Sequence, residues 1–319
     1  MKKVVLVLLC LCMALTGVFA AGRQQDGMAK EVYIAMVSKG YQHQFWQYVA
    51  LGAEKAAKEL GIRITFEGPE SETMIDKQTD MFVTALGRNP QGICFAALDK
   101  QAQVTLVEQA KAKGIPVVTF DATVDSDIPA SFVATDSEAA GAAAAEKMAA
   151  AIGGSGKVAV IASDKTNSTQ ILRRDGFINL MKAKYPNIQI LEPQYGDGDP
   201  LKSTEVCKAV INANPDLKGY YACNEGSAIG LANAMTELNM KDKLIGIGFD
   251  SGKTQIDAIR NGILYGAIQQ NPVKIGYEAV NLCLKAIKGE SVPKVVDSGF
   301  VWSDQSNIDS PEVKAVIYE

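Results

Sequence analysis

Short runs of β-branched and apolar residues alternate along this chain with longer stretches whose apolar positions recur at helical spacing. Runs at 32–37, 63–66, 92–95 and 116–120 are separated by helical patterns at 45–60, 74–86 and 101–113. Such alternation predicts βαβ units and a parallel sheet. Gly61 and Gly114 each follow a Lys-bearing last turn and precede a strand, as a helix-ending glycine does. A second series follows the alanine-rich helix at 137–151 and the turn Gly153-Gly154-Ser155-Gly156. It has strands at 158–161, 188–191, 219–223 and 243–248, with helices at 169–184, 201–214, 226–238 and 253–261. Ser137 and Thr169 are the expected N-caps, and Asn214-Pro215-Asp216 is expected to stop its helix. The tail offers a strand at 265–269, a helix at 272–287 and a strand at 295–300, too few elements for a third domain. They must complete the two open α/β sheets already counted. A crossing near Gln270 and a return near Val301 would leave three strands connecting the lobes.

The first residues break this pattern. Met1, Lys2 and Lys3 form a positive head, residues 4–18 an almost unbroken apolar run, and Val18-Phe19-Ala20 a small-residue cleavage site. This predicts a secretory signal over 1–21, cleaved near Ala20-Ala21. The run is shorter than the roughly 20 apolar residues needed to span a bilayer. Cys10 and Cys12 follow Leu inside it, which does not suit a lipid anchor. Removal of the signal leaves more residues than one core usually takes, consistent with two lobes. Cys94, Cys207, Cys223 and Cys283 are far apart and form no CxxC pair, so neither a metal site nor a disulfide framework is expected. Cys94 and Cys223 fall in apolar runs, where buried free thiols are expected.

Charge and motifs narrow the chemistry. With 32 Lys and Arg against 36 Asp and Glu, nothing favours nucleic acid, which calls for a concentrated basic surface. The single His excludes a multi-histidine metal centre. No phosphate loop of the GxxxxGK[ST] type occurs, and Gly246-Ile-Gly248 is followed by Ser251 where a dinucleotide fingerprint has its third glycine. No cofactor is expected. Ligands of open α/β sheets bind beyond the carboxyl ends of the strands. The residues there are 38–46, Asp121, Lys165-Thr166-Asn167, Asp197 and Asp199, Asn224-Glu225, Asp250-Ser251, and Gln269-Gln270-Asn271. Planar carboxylates and amides with aromatics suit a neutral polyol, matching vicinal hydroxyls and covering the C–H face of a ring. Each has a plainer alternative. Phe45 and Trp46 open a helix and suit core as well as cleft. Asp121, Asp250 and Asn224 suit capping, Gln270-Asn271 a helix entry, and Asp197 and Asp199 a turn.

At these positions the sequence resembles the periplasmic sugar-binding proteins of the ribose/galactose-binding class, whose core is shared with the lactose-repressor family. The resemblance runs from Val32 to Phe300, carried by HQFWQYVALGAEKAAKELG, GIPVVTFDATVDSD, the segment Arg173-Arg174-Asp175-Gly176-Phe177, ACNEGSAIGLANA, IGIGFDSG and GAIQQNPVKIGYEAV. It implies two Rossmann-like lobes of parallel sheets flanked by helices, joined by a three-strand hinge. The lobes would comprise 30–134 plus 271–300, and 135–270 plus 301–319. Carried over by position, sugar contacts fall on Phe45 and Trp46 (stacking), His43, Asp121, Asn224, Asp250 and Gln270. There are departures. Ala122 stands where ribose binders have Arg, Ile171 falls in the slot of a second Arg, and Gly198 in that of a further aromatic. Arg173 then takes the arginine role only with a shifted helix entry, and Asn167 is a replacement donor.

These readings lead to an exported, monomeric, non-catalytic receptor in the periplasm. It would bind a pentose, hexose or related polyol and present it to the permease of an ABC transporter. A sugar sensor for a chemoreceptor or histidine kinase keeps the same fold. A carbohydrate-active enzyme would use the carboxylates as acid and base. A repressor would need a DNA-binding module, for which about ten residues before the first strand leave no room.

Overall fold

The computed structural model describes residues 31–318, so the signal expected over 1–21 lies outside the described residues. Among the described residues no helix is long and apolar enough to cross a membrane. The first lobe begins with β1 (Tyr33–Val37), α1 (Gln44–Leu60), β2 (Arg63–Glu67), α2 (Ile75–Gly87), β3 (Gly92–Phe95), α3 (Val104–Ala112), β4 (Val117–Phe120) and β5 (Ser131–Ala134). The second contains α4 (Ser137–Ala151), β6 (Gly156–Ala162), α5 (Ser168–Lys184), β7 (Ile188–Ile190), β8 (Gln194–Tyr195), α6 (Pro200–Ala213), β9 (Leu217–Ala222), α7 (Glu225–Glu237), β10 (Ile245–Phe249), α8 (Lys253–Arg260) and β11 (Gly266–Gln270). The tail adds α9 (Pro272–Ile287), β12 (Val295–Asp297), β13 (Phe300–Asp304) and α10 (Pro311–Lys314).

Two sheets result, in the orders β12-β5-β4-β3-β1-β2 and β13-β11-β10-β9-β6-β7, with β8 also on β6. The first is parallel throughout, and β13 runs antiparallel to β11 at the edge of the second. All five residues of β1 are buried because helices cover both faces. Ile34 and Met36 pack under α1 and α9, while Tyr33, Ala35 and Val37 face Phe82 of α2 and Leu106 of α3. The chain passes between sheets after β5, after β11 and after β12. The first and third passages are tied together: Ser298 N–H donates to Ala134 O at 2.8 Å, and the Thr135 and Ser298 hydroxyls lie 3.1 Å apart.

Several local expectations change. The run 295–300 is two strands in different sheets, because Gly299 turns the chain with φ 78°. The short β5 was not foreseen, since no helical pattern separates it from β4. Asp136, not Ser137, caps α4 by accepting from Ala139 N–H, and Asn167, not Thr169, caps α5. In both cases a side-chain oxygen just upstream reaches the free N–H groups first. All four described cysteines are buried and unpaired.

Each lobe sets its cleft-facing helix with a reciprocal glycine contact. A Cβ on Gly52 of α1 would lie 2.0 Å from Val273 O, and one on Gly276 of α9 would lie 1.9 Å from Val49 O. In the second lobe, a Cβ on Gly141 of α4 or Gly176 of α5 would lie 2.2 Å from Arg173 O or Glu138 O. The backbones therefore approach closer than any side chain permits. Gly276→Ala should cost about 1–3 kcal/mol by forcing α1 and α9 apart, despite the roughly 1 kcal/mol by which Ala favours a helix. Gly87→Ala, where a Cβ meets nothing within 4 Å, should be neutral or slightly stabilising. Equilibrium urea denaturation compares them; an unchanged midpoint for Gly276→Ala would rule out this close approach.

Candidate ligand-binding site

The carboxyl ends of both sheets face a common cavity. It is lined by Lys39, His43, Phe45, Trp46, Glu72, Asp121, Gln170, Arg173, Asn224, Glu225, Asp250 and Gln270.

The two aspartates arrive by the same device. Strand β4 ends at Phe120 and β10 at Phe249, and the aspartate that follows each has φ 56° and 77° respectively. This left-handed conformation is costly for a residue with a Cβ and recurs at binding sites. Here it is held on both sides. Asp121 N–H donates to Val133 O and Asp250 N–H to Ile268 O, each at 2.8 Å. The Gln255 amide donates to the carbonyls of Phe249 and Asp250 at 2.7 and 2.8 Å.

Around Asp250, Gln270 Nε2 donates to Oδ1 at 2.7 Å and Glu225 N–H to Oδ2 at 3.1 Å. Burial nonetheless raises the carboxyl pKa of Asp250, against the pull of Arg173 and Gln270. Burial raises Glu225 too, with Asp250 adding to the effect while His43 opposes it. Arg173 donates from Nη1 to Cys223 O at 3.1 Å, places Nη2 3.8 Å from Asp121 Oδ1, and lays its guanidinium 3.8 Å from the centre of the Phe249 ring. Asn224 caps α7 by accepting from Ser227 N–H. Arg173 Nε and Gln270 Oε1 are buried without a hydrogen-bond partner. Such atoms are rare, and on lining residues they leave a donor and an acceptor for a ligand.

The other wall is aromatic and charged. Phe45 and Trp46 meet edge to face with centroids 5.0 Å apart, and Trp46 meets Phe120 similarly at 6.3 Å. The alternatives of core and cleft are both realised: these rings belong to the core under α1 and also line the cavity. Trp46 Nε1 donates to Glu72 Oε1 at 2.9 Å. Lys39 Nζ lies 3.1 Å from Asp121 Oδ2, 3.7 Å from Glu72 Oε2 and 5.6 Å above the Trp46 ring. Burial works against the Lys39 ammonium, but the Asp121 and Glu72 carboxylates outweigh it and hold its pKa above the usual value. Burial likewise opposes the Glu72 anion, and Lys39, His43 and the Trp46 N–H outweigh it, so its pKa is lowered.

Of the residues singled out from sequence, His43, Phe45, Trp46, Asp121, Arg173, Asn224, Asp250 and Gln270 line this cavity. Asn167 does not. Its Oδ1 caps α5, and its Nδ2 donates across the cleft to Ala97 O at 3.1 Å. Gln170, one turn further along α5, lines the cavity instead. Gly198 sits at the edge, where a Cβ would lie 3.2 Å from Asn224 Nδ2. Asp197 and Asp199 form a turn, with Asp199 capping α6. Sequence reasoning missed Glu72 and Gln170. Lys39 and Glu225 lie in strand-end segments whose other residues carried the sequence-based expectation. The loop after β2 follows the same strand-end rule and would have exposed Glu72.

With this geometry in place, comparison with known proteins is informative. A family model described as a periplasmic binding protein domain matches residues 34–291. The D-allose-binding periplasmic protein of Escherichia coli (strain K12) is 30% identical over 280 residues, covering 83% of this chain and 90% of that protein. The ribose import binding protein of Bacillus subtilis (strain 168) is 28% identical over 304 residues, covering 93% and 97%. Among solved structures, an ABC transporter solute-binding protein from Agrobacterium vitis with bound D-fucose superposes with a TM-score of 0.87 at 34% identity, covering 90% of this chain and 100% of that one. A carbohydrate transporter solute-binding protein from Agrobacterium radiobacter in complex with D-arabinose gives 0.88 at 31%, covering 91% and 100%. Matching fold, strand-end site and family model together place this chain in the periplasmic binding protein family.

Proposed function

We propose that this chain is an extracytoplasmic solute-binding protein that captures a monosaccharide, or a related polyol, between its lobes and delivers it to the permease of an ABC importer. One observation carries the reading: two strand-end aspartates, one from each lobe, share one cavity with an aromatic wall. A ligand touching both lobes contributes more free energy to the closed form than to the open one and so selects closure. Lys39 and Arg173 are outnumbered by Glu72, Asp121, Glu225 and Asp250, which disfavours an anionic ligand. The relatives that bind D-allose, ribose, D-fucose and D-arabinose support the substrate class.

In this reading Phe45 and Trp46 stack on the sugar. Asp121, Arg173, Asn224, Asp250 and Gln270 bond its hydroxyls, with His43 at the edge. Asn167 serves closure. The lobes divide at 31–134 plus 271–299 and 135–270 plus 300–318, since Phe300 pairs with Gln270 in the second sheet, the signal is removed near Ala20-Ala21, and the mature protein works in the periplasm as a monomer. The ligand is released unchanged.

A thermal-shift screen against pentoses, hexoses and polyols tests the substrate class. A sugar at 100 times its Kd should add about 2.7 kcal/mol of stability, and no shift with any of them would exclude a monosaccharide. For a sugar so identified, Asp250→Ala should lose about 1.5–3 kcal/mol of binding, or roughly tenfold to a hundredfold in Kd by titration calorimetry. Affinity should also fall in acid. Burial raises the Asp250 pKa, whereas hydroxyl donors from a sugar favour the anion, so binding releases protons. Affinity is full above the raised pKa and is lost as pH falls through it; Asp250→Asn should flatten that dependence in a calorimetric pH series.

A further inference from the structure

Helices α1 and α8 both begin without a cap of their own. His43 and Gly252 provide no side-chain hydrogen bond, and neither first turn contains an acidic residue. A helix start so left exposes free N–H groups and a partial positive charge. The opposite lobe supplies what is missing. Glu225, the first residue of α7, reaches across the cleft and accepts Gln44 N–H at 3.1 Å on Oε1 and Phe45 N–H at 3.2 Å on Oε2. In return, the Gln44 side-chain oxygen accepts Lys253 N–H, at the start of α8, at 2.9 Å.

The space between them is fitted to this exchange. A Cβ on Gly252 would lie 2.7 Å from Glu225 Oε1 and 3.2 Å from Gln44 Oε1. Tyr318 adds a third tie. Its hydroxyl donates to Glu225 Oε2 at 3.2 Å, its N–H to Ser251 Oγ at 3.3 Å, and its ring lies 5.0 Å from Tyr48 of α1. The N-caps of α4, α5, α6 and α7, by contrast, come from the residue that immediately precedes each helix.

We infer that Glu225 and Gln44 are positioning residues that determine ligand affinity by exchanging helix caps between the lobes. Both act through other groups. Glu225 fixes the start of the aromatic wall through Phe45 N–H and gives its own N–H to Asp250, so one residue links the stacking surface of the first lobe to the carboxylate of the second. These bonds exist only while the lobes are together. Their loss shifts the equilibrium toward parted lobes, and the apparent Kd rises by the reciprocal of the closed fraction.

The inference rests on the lobe-closing reading above, and the experiment has one arm independent of any sugar. Small-angle X-ray scattering of the unliganded mature protein compares wild type, Gln44→Ala and Glu225→Gln. Gln44→Ala is the primary variant because Gln44 does not line the cavity. Either substitution should increase the radius of gyration and leave far-UV circular dichroism unchanged. The second arm measures Kd by calorimetry for D-allose, D-ribose, D-fucose and D-arabinose. For any that binds wild type, Gln44→Ala should weaken binding about three- to tenfold, the scale of a lost helix cap, with the larger change in the dissociation rate. Wild-type scattering and affinity in a folded Gln44→Ala protein would overturn the inference. If no sugar of the thermal-shift screen binds wild type, the sugar reading fails while the scattering arm still decides the cap exchange. A Glu225→Gln protein that fails to fold leaves the decision to Gln44→Ala.

Discussion

Six charged side chains meet where the two lobes come together: Lys39, Glu72, Asp121, Arg173, Glu225 and Asp250. Buried charge must find its counter-charge and hydrogen bonds within the protein, since an unpaired ion in such a place costs several kcal/mol. Much of the architecture around the cavity answers that demand. Lys39 lies between two carboxylates, Arg173 spans a carbonyl, a carboxylate and a ring face, and Asp250 takes donors from Gln270 and the Glu225 backbone. Glu225, with no side-chain cation within bonding distance among the described residues, is met by the positive end of a helix. Since these partners come from both lobes, satisfying the charges and bringing the lobes together are one process.

The same demand explains the strained aspartates. A carboxylate at the end of a parallel strand would ordinarily continue along the strand or cap the next helix. With left-handed backbone at Asp121 and Asp250, both point into the seam. Adjacent strands and the Gln255 amide hold the turn by its backbone groups, which leaves the carboxylates to face the cavity. Rigid support of this kind comes from the fold itself. The helix carrying Phe45 and Trp46 and the helix carrying Gln170 and Arg173 are each held by glycine contacts tighter than side chains allow.

Much of this was legible in the sequence, for identifiable reasons. Doubly covered parallel strands read as unbroken apolar runs, so β1, β3, β4 and β6 stood out, and the rule that ligands collect beyond strand ends located Asp121, Asn224, Asp250 and Gln270. Pattern failed where it carried no contrast. The short β5 lacks a preceding helix, and only the φ of Gly299 separates β12 from β13. The caps at Asp136 and Asn167 were misplaced by one and two residues, because several capping types stood side by side. The role of Asn167 depends on a carbonyl in the other lobe, at Ala97, which no local pattern encodes. The links from Glu225 to Gln44 and from Glu72 to Trp46 join segments separated in the chain, and their geometry emerges only in three dimensions.

The passage of the tail back to the first sheet also governs when this protein can fold during synthesis. Helix α9 covers Ile34, Met36, Cys94 and Val118, and β12 forms the sheet edge beside β5. Both come from the last fifth of the chain, so the sheet formed by the earliest strands keeps part of one apolar face uncovered until synthesis is almost complete. Contacts this distant in sequence slow folding. The first lobe of a nascent chain with this topology therefore cannot complete its core until the tail has been made.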